Sequence, residues 1–240
     1  MQQSGGIRHS EGVSPKNLFR YFANAQYDTK LVHKKAGFTI LEIIVLIFII
    51  SIFATITIPV VINDSKEAAL ISNWRMQVQD AKYFFSLIKM NNSEEVQKAF
   101  TDRNEREIFN LYLKYAGLEN VEEVPLENYN LKSLNNKVIK EDSPYYIQRM
   151  IKKDDTTFIG FSPCKNCVDH EKICGKLFFD VNGMKGPNKL GVDVFGFDVR
   201  GDNLQIFGED RDIKKVRKDC SRFGTGAYCS IYYLKGGKFY

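Results

Sequence analysis

The sequence predicts an α+β protein in which a long N-terminal helix, membrane-spanning in its first half, packs on a small antiparallel sheet head. Three observations predict it. Residues 38–62 form an apolar run of 25 residues with one charge, Glu42. Residues 63–92 keep a helical period while gaining charged side chains. From Tyr145 onward the apolar residues fall into short runs divided by Gly- and Asn-rich turns. At 240 residues, 44% hydrophobic and 26% charged, the composition is neither that of a disordered chain nor that of a polytopic membrane protein.

The net charge of +5 is unevenly spread. Residues 1–37 carry six basic side chains (Arg8, Lys16, Arg20, Lys30, Lys34, Lys35) and two acidic ones (Glu11, Asp28), whereas the remaining 203 residues carry 28 basic against 27 acidic. The main body therefore gives a nucleic-acid reading no electrostatic support.

As a helix, residues 38–62 rise roughly 37 Å, enough for a bilayer core. A secretory signal fits poorly, because its apolar part is shorter and is followed by a small-residue cleavage site. An anchor fits, and Lys34 and Lys35 place the N-terminal side in the cytoplasm and the long C-terminal part outside. An anchor alone does not explain Glu42. A carboxylate in a span costs a few kcal/mol on insertion scales, about 2.5–3.5, and calls for a partner. If the chain were cut after Gly37, the new α-amino group of Phe38 would be a cation four residues away, in the same subunit or in a neighbour.

Lys34-Lys35-Ala36-Gly37 followed by Phe38-Thr39-Ile40-Leu41-Glu42 resembles the processing site of type IV pilins and type II secretion pseudopilins. The resemblance implies a leader, residues 1–37, removed by a prepilin peptidase on the cytoplasmic side. It also implies N-methylation of Phe38 and a role for Glu42 in subunit docking. Pro59, the 22nd residue after the cut, stands where many members of that family carry a helix-loosening proline; it should kink or locally melt the helix. The resemblance is strong over about 55 residues, and the 37-residue leader is long for this family.

Beyond the span, Ile71, Trp74, Val78, Ala81, Phe85 and Ile88 step by three or four residues and mark one face of an amphipathic half, residues 63–92, that packs on the head. The head is residues 93–240. A second helix is expected from Ser93 to Ala116, with an interruption near Thr101 and a stop at Gly117. Residues 118–143 read as a connecting loop. Strands are expected at Tyr145–Ile151, Thr156–Phe161, Lys176–Val181, Asp193–Val199 and Asn203–Phe207. A helix laid across such a sheet is also the architecture of the pilin-like family.

Five cysteines, Cys164, Cys167, Cys174, Cys220 and Cys229, lie on the side that topology places in an oxidising compartment. Cys220 and Cys229 enclose a Gly-rich loop and are the first choice of disulfide, as the resemblance also implies. Two of Cys164, Cys167 and Cys174 form a second pair, and the sequence leaves open which two. Cys164, Cys167, His170 and Cys174 also make a compact set of zinc ligands, but the compartment argues against free thiolates. Asp180, Asn182, Asn188 and Asp193 offer oxygen ligands for calcium around Gly183 and Gly186, and some pseudopilins bind calcium in a C-terminal loop. The same residues are also plain turn chemistry.

No catalytic set stands out, and the expectation is a protein that is not an enzyme and requires no cofactor. The run Glu209–Lys218 mixes signs and reads as a solvated face, the one place to look for DNA contact. Together these readings predict a prepilin or pseudopilin, held in the inner membrane with its head outside and then assembled into a pilus or secretion pseudopilus. Its partners would be copies of itself, other pilin-like subunits, the prepilin peptidase, the inner-membrane assembly platform and lipid. The rival is a single-pass anchored extracytoplasmic binding domain using the cation loop or the Cys-rich loop.

Overall fold

The computed structural model describes residues 38–91, 105–121, 123–163, 173–200 and 203–239. The chain parts between Ile58 and Pro59 into two compact units.

Helix α1 (Ile40–Asn91) starts in the first unit. It is long and apolar enough to cross a membrane. No residue in 38–62 is buried, and only Ala54 is half-buried. The stretch is rich in Ile, Val and Thr, which are indifferent helix formers in water. Ser51 Oγ donates to the Ile47 carbonyl at 2.7 Å and Thr57 Oγ1 to that of Phe53 at 2.8 Å, so these hydroxyls are satisfied by the helix itself. Pro59 lies inside α1, with helical residues on both sides. Local melting therefore does not occur, since the proline removes one bond from a ladder of 52 residues.

In the second unit α1 buries Trp74, Gln77, Val78, Ala81, Phe85 and Ile88. Ile71 is half-buried against the same core. Helix α2 (Glu105–Tyr115) is the described part of the expected second helix. It stops where the sequence predicts. Gly117 takes φ 71°, its amide donates to the Lys114 carbonyl at 3.1 Å, and the Leu118 amide donates to that of Leu113 at 2.8 Å. This pair of bonds needs a residue in the left-handed region, which glycine supplies without a side-chain clash.

Five strands follow: β1 (Arg149–Lys152), β2 (Phe158–Pro163), β3 (Ile173–Asp180), β4 (Val194–Arg200) and β5 (Leu204–Ile206). They form one antiparallel meander in chain order. Side chains alternate between two cores. Ile159, Phe161, Leu177, Phe179, Phe195 and Phe197 face the helices, whereas Phe158, Phe178 and Val194 face a second cluster with Tyr129, Leu131 and Ile147. Trp74 is the centre of the first. Its ring stacks on Phe195 at 5.2 Å and its Nε1 donates to the Ser230 carbonyl at 2.8 Å.

The second cluster corrects the reading of residues 118–143 as a mere connection. That segment holds a 3₁₀ turn (Leu126–Asn128) and covers the other face of the sheet. It is fastened by Lys132 N to the Asn188 carbonyl and Leu190 N to the Lys132 carbonyl, at 2.9 and 2.8 Å. Strand β1 is correspondingly shorter than expected, because Tyr145 and Ile147 cross this face instead of extending the strand. Ile147 rests so closely on Gly160 that a Cβ there would lie 2.9 Å from its Cγ2. Two short helices were not expected: α3 (Ile213–Asp219) and α4 (Cys229–Leu234). Both are too short to show a period.

Candidate functional site

Carboxylates stand out at two places in the chain. The first is the start of α1, where Glu42 is exposed. Phe38 is 71% exposed and Thr39 stands at the N-cap. Thr39 N donates to Glu42 Oε2 at 2.8 Å and Thr39 Oγ1 to the same oxygen at 3.0 Å, while Glu42 N donates to Thr39 Oγ1 at 3.2 Å. This is a capping box: hydroxyl and carboxylate satisfy each other's orphan amides at the helix end. The pattern Thr-x-x-Glu before an apolar run is legible in the sequence. Gly37 and the leader lie outside the described residues.

The second place is the turn from β3 to β4. Asp180 and Asp193 are 1% and 0% exposed. Asp180 Oδ2 accepts from the Tyr129 hydroxyl at 2.8 Å and Oδ1 from the Asn182 amide at 3.2 Å. Asp193 accepts from the Asn188 amide at 2.9 Å and the Lys189 amide at 2.6 Å. The Asn182 Nδ2 donates to the Gly186 carbonyl at 2.8 Å. The fold thus brings all four sequence-predicted residues into one cluster. Tyr129 joins them from the segment read as a loop, and sequence reasoning missed it because nothing local marks it.

This cluster has more negative charge and more acceptors than its donors satisfy. Among the described residues no Lys or Arg lies within ion-pair distance of Asp180 or Asp193. Burial, and then the charge of Asp193, push the Asp180 carboxyl up to about 7. Burial likewise raises that of Asp193. Burial and the neighbouring Asp180 raise the Tyr129 hydroxyl well above its ordinary value. Asn182 Oδ1 and Asn188 Oδ1 are buried with no hydrogen-bond partner. An orphaned carbonyl oxygen costs about 1–3 kcal/mol, so two beside a carboxylate pair need a reason. A hard cation is one, because it prefers oxygen donors of both kinds. No three His, Cys, Asp or Glu side chains converge among the described residues; the donor set here is two carboxylates and two amides.

Cys220 and Cys229 are joined in a disulfide, with Cα atoms 4.9 Å apart. Cys174 is also disulfide-bonded, and its partner is outside the described residues, as are Cys164, Cys167 and His170. As a disulfide sulfur, that of Cys174 is not a thiolate ligand in this structure.

No protein family, curated protein or solved structure matches the chain.

Proposed function

We propose that the chain is a structural subunit of a type IV pilus or type II secretion pseudopilus. In this reading a prepilin peptidase removes residues 1–37, Phe38 is N-methylated, and the head lies outside the inner membrane. Mature subunits leave the bilayer by packing α1 against copies of itself and other pilin-like subunits, on an inner-membrane assembly platform. One observation carries the proposal. The residues of the first half of α1 are apolar on every side and none of them is buried by their own chain, yet they include one carboxylate four residues beyond a Gly-Phe bond. Lipid satisfies the apolar surface but not the carboxylate. A second subunit that brings an α-amino group satisfies both. Pro59 gives up one backbone bond near the end of this stretch, which eases bending there.

N-terminal sequencing and intact mass of the protein purified from membranes test the reading. A chain that begins at N-methylated Phe38 is the expected result, and an intact Met1 overturns it in favour of an unprocessed anchored domain.

The head has a second role in this reading, as a holder of calcium, favoured by the two orphaned amide oxygens beside Asp180 and Asp193. When bound, the cation neutralises the paired carboxylates. Asp180, Asn182, Asn188 and Asp193 would hold it between the end of β3 and the start of β4. Isothermal titration of the chelator-treated chain with calcium checks this: saturable binding lost in Asp193→Asn is expected, and no heat of binding excludes it.

A further inference from the structure

The turn that carries Asp180, Asn182, Asn188 and Asp193 and the disulfide loop closed by Cys220 and Cys229 are distant in sequence, yet one strip of chain, residues 132–136, is bonded to both. On one side Lys132 N donates to the Asn188 carbonyl at 2.9 Å and Leu190 N to the Lys132 carbonyl at 2.8 Å, while Lys189 Nζ donates to Asn136 Oδ1 at 2.6 Å. On the other, Leu134 N and Asn135 N donate to the Thr225 and Gly224 carbonyls at 2.8 and 3.2 Å, and Asn135 Nδ2 donates to that of Phe223 at 3.3 Å. The strip therefore grips the backbone of Asn188, one of the four oxygen-bearing residues of the turn, with the same few residues that grip the disulfide loop.

The two loops also touch directly. A Cβ on Gly191 would lie 2.6 Å from Cys229 Sγ, and one on Gly226 would strike the Leu190 carbonyl, so the backbone of the turn rests on the disulfide with no side chain between them. Both glycines take positive φ, 77° and 85°, which the missing Cβ allows. Tyr233 lies on α4, the helix that begins at Cys229, and donates its hydroxyl to the Gly191 carbonyl at 2.9 Å. Cys220 and Cys229 are both 0% exposed. A reductant therefore reaches their sulfurs only when the loop opens locally, and the loop opens only when the groups that fasten it let go.

We propose that the Cys220–Cys229 disulfide regulates the cation turn: closed, it backs residues 188–191 in the conformation that binds calcium, and its reduction by a dithiol releases them and weakens that binding. The proposal rests on calcium being held by this turn, as proposed above. In the reduction a dithiol supplies two electrons and two protons; the S–S bond breaks, both cysteines become thiols, and the dithiol closes to its own cyclic disulfide. Gly226 and Cys229 are then no longer held against Leu190 and Gly191, and the strip loses its anchor on the loop. Asp193 accepts from the Asn188 and Lys189 amides at 2.9 and 2.6 Å, so an ion on this carboxylate senses where that stretch lies. Coupling between two sites is reciprocal: the factor by which reduction weakens calcium binding is the factor by which calcium disfavours reduction.

The test has two arms, both on the full chain in detergent. Isothermal titration with calcium chloride compares the oxidised wild type with Cys220→Ser/Cys229→Ser, and the variant should bind roughly five- to 150-fold more weakly, the usual span of coupling between sites. The second arm needs no cysteine variant and decides alone if that variant does not fold. Dithiothreitol is added with saturating calcium or with chelator, and timed alkylation with peptide mass mapping reads Cys220 and Cys229 separately from Cys174. Calcium should slow reduction of this pair at least about fivefold, the low end of the same span, and Asp193→Asn should lose the protection. No calcium binding by the oxidised wild type overturns the cation site and the proposal with it. Equal affinity in the wild type and the serine variant leaves the site standing and overturns the regulation alone, as does equal reduction with calcium and with chelator. Protection that persists in Asp193→Asn places the action of calcium elsewhere and overturns it too.

Discussion

Residues 40–58 and residues 71–88 belong to one helix and are both rich in large apolar side chains, yet no residue of the first stretch is buried, whereas Trp74, Val78, Ala81, Phe85 and Ile88 of the second are. The difference lies in arrangement. In the second stretch the apolar residues form one stripe, and Arg75, Gln79 and Lys82 take the solvent side. A single sheet can cover a stripe. The first stretch is apolar all round, so no single partner face can satisfy it and a surrounding medium is required. One helix therefore carries two kinds of surface, with Pro59 where the two compact units part.

The largest effect should separate these halves by stability. Trp74→Ala removes a fully buried indole and its bond to Ser230, at a cost of about 3–5 kcal/mol. Phe48→Ala, on a ring 64% exposed in the span, should leave head stability within about 0.5 kcal/mol. Chemical denaturation of the full chain in detergent, followed by near-ultraviolet circular dichroism, compares them. Similar losses in both would mean that the halves are not energetically distinct.

Glu42 tests the same contrast by assembly. Glu42→Gln keeps an acceptor for the Thr39 amide and so keeps the cap, while it removes the charge. If the charge docks subunits, this variant should be cleaved normally after Gly37 and yield few filaments. Abundant filaments from Glu42→Gln would show that the charge is dispensable.

A smaller effect belongs to the head. An unfolded aspartate loses its proton near 3.8, whereas folded Asp180 keeps it to about 7. Between those values the folded state binds more protons, so with chelator present its stability should fall as pH rises from about 4 to 7 and level off beyond. Asp193 and Tyr129, which face Asp180, shift in the same upward direction. Calcium replaces the proton as the neutralising charge and should flatten the trend. Melting curves at pH 5 and pH 8, with chelator and with calcium, check this: an unchanged gap between the two pH values on adding calcium would count against the cation.

How much was legible follows from the range of each interaction. The long apolar helix, the buried stripe of α1, the stop at Gly117, the five strands and the Cys220–Cys229 pair depend on local spacing or on residues close in sequence, and the sequence reading found them. The cover formed by residues 118–143 did not show, because Tyr129 and Leu131 are buried by a face assembled from distant strands. Tyr129 meets Asp180 for that reason alone, across 51 positions. The four oxygen-bearing residues of the turn were found as a composition, but their burial and the two orphaned oxygens are properties of the folded sheet. Helix α3 was hidden differently. Its charges read as a solvated face, and its 7 residues are too few to show a helical period.

The smallest effect is the most discriminating for Glu42. Its carboxylate does two things that Glu42→Ala would remove together: it closes the cap with Thr39, and it carries the charge proposed to dock subunits. Thr39→Ala removes only the cap's hydroxyl, leaving the Thr39 amide bond to Oε2 at 2.8 Å available to the backbone of the new residue. The local cost should be about 1 kcal/mol, typical of a lost N-cap, read as faster amide exchange at Glu42 and Ile43. Filament yield should stay near wild type, because the carboxylate remains and is less tightly held by its own chain. A collapse of assembly in Thr39→Ala as deep as that in Glu42→Ala would show that the order of the helix start, rather than the charge, is what filament formation needs.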